Sequence, residues 1–153
     1  MDKFFDIGLE LCSACHYSCS TCEDTSTKCL TCSSDDKRTI NSNKCPCNAG
    51  FFDNDVATCS ACHYSCSTCE DTSTKCLTCS SDDKRTIDSN NCPCNAGFFN
   101  KGIATCLPCH YSCLTCEDTS TKCLTCNADH KRTIDNNSCP CNAGFFDSGV
   151  ATC

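Results

Sequence analysis

The sequence has no tryptophan, one methionine, six glycines and four prolines in 153 residues. Its apolar runs are two or three residues long, far short of the roughly 18 to 20 that cross a bilayer as a helix. A membrane-spanning helix is therefore excluded from these residues. Basic residues are scarce, with 12 Lys and Arg against 19 Asp and Glu, and the net charge of −7 is spread along the chain. Without a basic patch to neutralise phosphates, nucleic acid is not an expected partner. Large apolar side chains are scarcer still. Cysteine apart, the stretch from Cys12 to Thr58 offers only Tyr17, Leu30, Ile40, Phe51, Phe52 and Val56. Such a chain cannot bury enough apolar surface to offset its conformational entropy. The opening MDKFFDIGLEL carries three acids and no apolar core of a secretory leader, which reads as the mark of a fragment.

What the chain has instead is cysteine, 25 of them, the composition of a disulfide scaffold or a metal cluster protein. Every cysteine recurs at a period of 47 residues, so that Cys12, Cys59, Cys106 and Cys153 coincide when the sequence is laid on itself. Three repeats result, 13–59, 60–106 and 107–153, preceded by residues 1–12 as the tail of a truncated module. KFFDIGLELC, ending at Cys12, aligns with GFFDNDVATC, ending at Cys59. The first two repeats differ at 6 of 47 positions and the first and third at 11. The first two differ only around Asn41 and Asp53, in stretches whose Asn, Asp, Ser and Gly are turn residues.

Each repeat spaces its cysteines C-x2-C-x3-C-x2-C-x6-C-x2-C-x12-C-x-C-x11. Paired C-x2-C units are also how tetrahedral zinc sites are built. The net acidic, nearly coreless setting disfavours a cluster of thiolates, and no metal or cofactor is assigned. A thioredoxin-type redox site needs its C-x2-C at the start of a helix, and no helical apolar periodicity is present. Disulfides in an oxidising compartment are the favoured reading. Eight cysteines per repeat allow 105 connectivities, and the spacing does not choose among them.

The run CHYSC-x2-C-x6-CLTC followed by CPCNAGFF resembles the furin-like, growth-factor-receptor cysteine-rich repeat, three times over. The likeness covers essentially the whole chain. It departs from that family at Cys45-Pro46-Cys47, which is spaced more tightly than the family's C-x3-C-P. The resemblance implies pairing of first with third, second with fourth, fifth with sixth and seventh with eighth cysteine. Carried onto the first repeat it pairs Cys15 with Cys22, Cys19 with Cys29, Cys32 with Cys45 and Cys47 with Cys59. In the second it pairs Cys62 with Cys69, Cys66 with Cys76, Cys79 with Cys92 and Cys94 with Cys106. In the third it pairs Cys109 with Cys116, Cys113 with Cys123, Cys126 with Cys139 and Cys141 with Cys153. Cys12 is left over, its partner expected in a missing upstream module.

The expected fold is a small disulfide-rich one, mostly β-hairpin and loop with little or no helix, its tandem repeats forming an elongated rod. Lys37 to Ile40 is expected to pair back through the Asn41–Lys44 turn as one such hairpin. No nucleophile with a base and an orienting acid can be assembled, so no catalytic residue is assigned. His16, His63 and His110, each followed by Tyr17, Tyr64 or Tyr111, are expected to cover disulfides and bond locally. Acid pairs at Glu23–Asp24 and Asp35–Asp36 have calcium's preferred oxygen ligands, but His130 stands where the first repeat has Asp36. The doublets Phe51–Phe52, Phe98–Phe99 and Phe145–Phe146 point their rings to opposite sides in an extended strand, and the outward rings are candidate assembly contacts. Asn136 heads the one ordinary N-glycosylation sequon. Asn43, Asn90 and Asn137 head the weaker Asn-x-Cys form, and the EDTSTK loops are candidates for O-linked sugar.

Near-identical repeats favour a surface presented many times over a single shaped site. The expectation is an extracellular structural or surface-coat protein that self-associates as a homopolymer into fibres or a layer. A ligand-binding or adhesive ectodomain of the growth-factor-receptor type is the alternative, and an accessory region of a secreted protease of the proprotein-convertase kind is a third class. Absence of Trp and Gln, with plentiful Asn, Ser and Thr, is similar to cysteine-rich surface proteins of protists.

Overall fold

The computed structural model describes residues 3–6 and 12–153. The chain divides into two compact units, Met1–Thr78 and Cys79–Cys153, and the division falls inside the second repeat. In the first unit β1 (Phe4–Asp6) pairs with β2 (Cys12–Ala14), β3 (Thr21–Cys22) with β4 (Cys29–Thr31), β5 (Phe51–Phe52) with β6 (Ser60–Ala61), and β7 (Thr68–Cys69) with β8 (Cys76–Thr78). In the second unit β9 (Phe98–Phe99) pairs with β10 (Leu107–Pro108) and β11 (Cys113–Cys116) with β12 (Cys123–Cys126). All six pairings are antiparallel. Helix is confined, among the described residues, to a single 3-10 turn at Ala128–His130. The fold is thus disulfide-rich hairpin and loop.

Each hairpin follows from a short sequence. Thr21 and Thr31 face each other across β3 and β4 with hydroxyls 2.7 Å apart, a favourable cross-strand pair. Asn41 and Lys44 exchange both backbone hydrogen bonds, at 2.8 and 3.0 Å, around Ser42 and Asn43. Both turn residues are left-handed, with φ of 48° and 61°, the twist of a type I′ hairpin. Lys37–Ile40 does fold back as the sequence suggests, but only as isolated bridges, Arg38 opposite Cys47 and Asn41 opposite Lys44. Pro46 lies on the returning side and has no N–H to give, so a continuous ladder cannot form. Beyond it the Phe51 amide donates to Asn48 at 3.0 Å, closing a turn that needs positive φ at Gly50, where φ is 82°.

Two-stranded hairpins of this length are marginal in water. Twelve disulfides hold them, four to a repeat. In the first repeat these are Cys15–Cys22, Cys19–Cys29, Cys32–Cys45 and Cys47–Cys59, closing sequence separations of 7, 10, 13 and 12. The other two repeats carry the equivalent bonds, and Cys12 is free and exposed. The half-cystines are also the core. Cys15, Cys19, Cys22, Cys29 and Cys45 form one buried cluster with Phe5 and Cys32 packed against it. In the second unit Cys113, Cys116, Cys123 and Cys139 cluster with Phe99, among the described residues the one buried apolar side chain that is not a cysteine.

Phe99, the second of its doublet, therefore packs on the hairpin that follows it. That is why the division between units falls after Thr78: β5 contacts β7, and β9 contacts β11, so each Phe-Phe strand belongs with the next repeat's first hairpin.

At about 2–4 kcal/mol for each short-loop bridge, full reduction removes more than such a domain's whole stability. The reduced chain should lose its dispersed amide NMR spectrum at neutral pH. A dispersed spectrum that survives reduction and alkylation would show that something other than the bridges holds the fold.

Candidate functional site

Three arginines in a row of acidic, coreless repeats are buried: Arg38, Arg85 and Arg132 are 2%, 3% and 2% exposed. Each lies opposite the seventh cysteine of its repeat, and its side chain reaches under the loop that follows the Phe-Phe doublet. In the first repeat all five guanidinium hydrogens are used. Nε donates to the Ala57 carbonyl at 2.8 Å, Nη1 to the Cys45 carbonyl at 2.9 Å and Asp53 Oδ2 at 3.0 Å, and Nη2 to Asp53 Oδ1 and the Val56 carbonyl, both at 3.0 Å. The Tyr17 ring lies 5.5 Å from the guanidinium carbon, and its hydroxyl donates to Asp53 at 3.1 Å and Asp55 at 3.3 Å. A fork with five fixed donors is what this junction of three carbonyls and a carboxylate requires, and a lysine cannot supply it.

Partial burial pushes the Asp53 carboxyl up, but hydrogen bonds from Arg38, the Asp55 amide and Tyr17 outweigh it and hold the group below the usual range. Burial and then the Asp53 contact raise the Tyr17 phenol. In the third repeat the hydrogen bond from Arg132, then that from the Gly149 amide, lowers Asp147. The second repeat has Asn100 instead, its Oδ1 3.3 Å from Arg85 Nη2. The clamp thus survives with a neutral acceptor, and its charge is not what the fold requires of that position.

Because the fork's donors are spent inside the protein, it offers nothing to an outside anion. Beside it an open cleft of about 240 Å³ is lined by His16, Ser18, Lys44 and Asp53 among others. His16 Nδ1 lies 2.8 Å from the Ser18 hydroxyl and accepts from the Ser18 amide at 3.4 Å, so the imidazole closes its own turn. The His–Tyr pairs stack at 3.9 to 4.0 Å in every repeat. Lys44 is replaced by Asn91 and Ser138, so the lysine at the cleft belongs to the first repeat only.

The acid pairs have partners within the chain. Lys28 bridges Glu23 at 3.0 Å and Asp24 at 2.7 Å, as Lys75 and Lys122 do in their repeats. Asp36 accepts from the Thr58 hydroxyl while its amide donates to the Ser33 hydroxyl at 3.3 Å, and Asp83 accepts from Thr105, tying the end of each loop near Cys59 or Cys106. His130, at this place in the third repeat, ends the 3-10 turn with its Nε2 3.4 Å from Asn127 Nδ2. Among the described residues no three His, Cys, Asp or Glu side chains gather as metal ligands. Asn136 is exposed in a left-handed turn conformation, φ 43°.

Phe51 and Phe52 are both half-buried, Phe98 is half-buried and Phe99 buried, while Phe145 and Phe146 are 48% and 79% exposed. The surface that does repeat is a different one. Leu30 and Ile40 are 47% and 46% exposed, Leu77 and Ile87 47% and 46%, Leu124 and Ile134 48% and 46%. In the first repeat they flank a shallow groove with Thr31, Cys32 and Thr39. Sequence reasoning passed over this pair, although alternation along Cys29-Leu30-Thr31 turns Leu30 away from the buried Cys29.

No protein-family model, curated protein or solved structure matches the chain. Among the described residues, no helix is long and apolar enough to cross a membrane. The density of disulfides is that of a protein made in an oxidising, secretory environment.

Two outcomes test the clamp. Arg38→Lys should cost about 2–4 kcal/mol locally, since buried carbonyls of Cys45, Val56 and Ala57 lose donors. The measurement is hydrogen exchange, which should speed at residues 53–58 and stay unchanged at residues 100–105. The pH response separates the repeats. Asp53 and Asp147 have lowered folded-state pKa values, so their contribution is present above the unfolded value of about 3.9 and is lost as pH falls through the folded one. The Nη–H groups of Arg38 and Arg132, which donate to these carboxylates, should therefore lose protection in acid relative to an exposed arginine, while those of Arg85, facing Asn100, respond less.

Proposed function

We propose that this chain is a non-catalytic extracellular structural protein whose repeats associate with those of further copies into fibres or a surface layer. The carrying observation is the exposed Leu–Ile pair, which recurs in all three repeats at the same exposure to within about a percentage point. The exposed half of each leucine and isoleucine stabilises nothing within its own repeat and leaves water only when another surface covers it. A partner bearing the same pair at the same period engages several copies at once, and avidity then multiplies a weak contact. Another copy of this chain is such a partner. The cross-linked frame supports the reading, because a coat outside the cell must hold its shape without cellular repair.

The test is the particle mass of the unreduced protein over a range of concentrations, for the natural chain and for Leu30→Ser, Leu77→Ser and Leu124→Ser combined. Exposed side chains make the triple variant a mild one for folding. Assembly of the natural chain that falls at least tenfold in the variant supports the proposal. A monomer at every concentration overturns it and favours a ligand-binding or adhesive ectodomain.

A further inference from the structure

Asn136 stands where the first two repeats have Ser42 and Ser89, and Ser138 where they have Lys44 and Asn91. Together the two changes make Asn-Asn-Ser, an acceptor sequence for N-linked sugar that neither equivalent turn carries in this form. Asn43, Asn90 and Asn137 each have a half-cystine as third residue instead. Cys45, Cys92 and Cys139 are spent in bridges and 3% exposed.

The fold leaves Asn136 room for a substituent. The Asp135 amide donates to the Ser138 carbonyl at 2.9 Å, and the Asp135 carbonyl accepts from the Ser138 amide at 2.8 Å and the Ser138 hydroxyl at 2.6 Å. The Cys123 amide docks the turn by donating to the Asn137 carbonyl at 2.7 Å. None of these bonds uses the exposed side chain of Asn136. In the first two turns the side chain at this place is engaged, Ser42 Oγ donating to Asn41 Oδ1 at 3.3 Å and Ser89 Oγ to Asp88 Oδ1 at 3.0 Å. A sugar on Asn136 therefore displaces no hydrogen bond of its turn.

The same contacts decide what the sugar meets. Cys123 opens β12, so docking on its amide puts the turn beside Leu124, the next residue of that strand. Ile134 lies two residues before Asn136, its Cα at most about 7 Å away. These two are the exposed pair of the third repeat, 48% and 46%. Pyranose rings carry C–H faces as well as hydroxyls, and such a face packs on methyl groups while the hydroxyls stay in water.

We propose that Asn136 carries an N-linked glycan that covers Leu124 and Ile134, so that the apolar pair of the third repeat is shielded while Leu30 and Ile40 of the first stay open. The donor is an oligosaccharide linked through C1 to a lipid diphosphate in the secretory compartment. Asn136 Nδ2 forms the new bond to C1, the C1–oxygen bond breaks, the lipid diphosphate leaves with the bonding electrons, and the amide gives up one proton to solvent. Association then runs through repeats that lack the sequon, which limits how one copy lies on another. That consequence deepens the proposed function and rests on it, while the glycan and its cover rest on the turn and on passage through the secretory compartment.

The experiment takes the full chain secreted by a eukaryotic cell, beside Asn136→Gln and Ser138→Ala, which remove the sequon from either end. Peptide masses read occupancy of Asn136, and hydroxyl-radical oxidation of the dilute, unreduced chain reads the apolar pairs. Oxidation follows the side-chain area left in water, so in the natural chain Leu124 and Ile134 should react at least about twofold more slowly than Leu30 and Ile40. In both variants the two pairs should react alike. Moving the sequon with Ser42→Asn and Lys44→Ser should carry the protection to Leu30 and Ile40. An unoccupied Asn136, or an occupied one with both pairs oxidised alike, overturns the inference. Sedimentation of the same samples keeps the two readings apart: a natural chain that is shielded at Leu124 but monomeric at every concentration removes the proposed function alone, and one that assembles with Leu124 unshielded removes the glycan cover alone.

Discussion

The Cys19–Cys29 bond lies where a hydrophobic core would be, with Cys29 only 1% exposed and Cys19 2%. A half-cystine here does two things at once: it is a small apolar side chain excluded from water and it is a covalent restraint on the unfolded chain. Neither suffices alone. The fifteen buried apolar residues among those described, fourteen of them cysteine, are too thin a core to order the chain by burial. The bridges instead remove freedom from the unfolded ensemble over short loops, and each loop then needs only local hydrogen bonding to settle. This is why the strands are two to four residues long and the turns so rich in left-handed Asn, Asp and Ser.

A frame of this sort leaves its longest loops unfilled, and the arginine forks answer that deficit. The loop from Asp53 to Ala57 contributes no buried apolar side chain but the Val56 and Ala57 carbonyls and the Asp53 carboxylate, and a guanidinium satisfies several such oxygens at once where an apolar residue satisfies none. Replacing a buried ion pair with apolar groups is often harmless, but only when the groups around it are apolar too. Here the surroundings are backbone oxygens, so the charge is retained. Asn100 shows which part matters: its amide oxygen keeps one contact with Arg85 without any formal charge.

Much of the fold was legible because cysteine spacing and turn residues are local signals. C-x2-C units, Ser-Asn and Asn-Asn turns and the Phe-Phe doublets each specify a few residues of structure, and the bridges assemble them with little further choice. The arginines were not legible in the same way. Lys37 and Arg38 look like ordinary surface charge in sequence, and only one of them is buried. Comparison of the repeats does not separate them either, since Lys37, Lys84 and Lys131 are as unvaried as Arg38, Arg85 and Arg132. His130 at the place of Asp36 already argued against a calcium ligand there, and what sequence did not show is that Asp36 accepts from Thr58 and so positions a loop.

The same thin core governs what the surface can do. In a protein with a thick core, a half-exposed leucine still contributes to its own fold, and its position is set by packing. In these hairpins Leu30 stands opposite Cys29 on a two-stranded sheet with no second layer, so its ring of exposed methyl groups is a by-product of burying the bridge. Selection for the bridge at Cys29 does not by itself require leucine next to it. Threonine or lysine on that face would serve the strand and solvent better. Leu30, Leu77 and Leu124 share their invariance with the EDTSTK loop beside them, so identity between repeats singles out no residue, and what sets the leucines apart is the apolar area they leave in water.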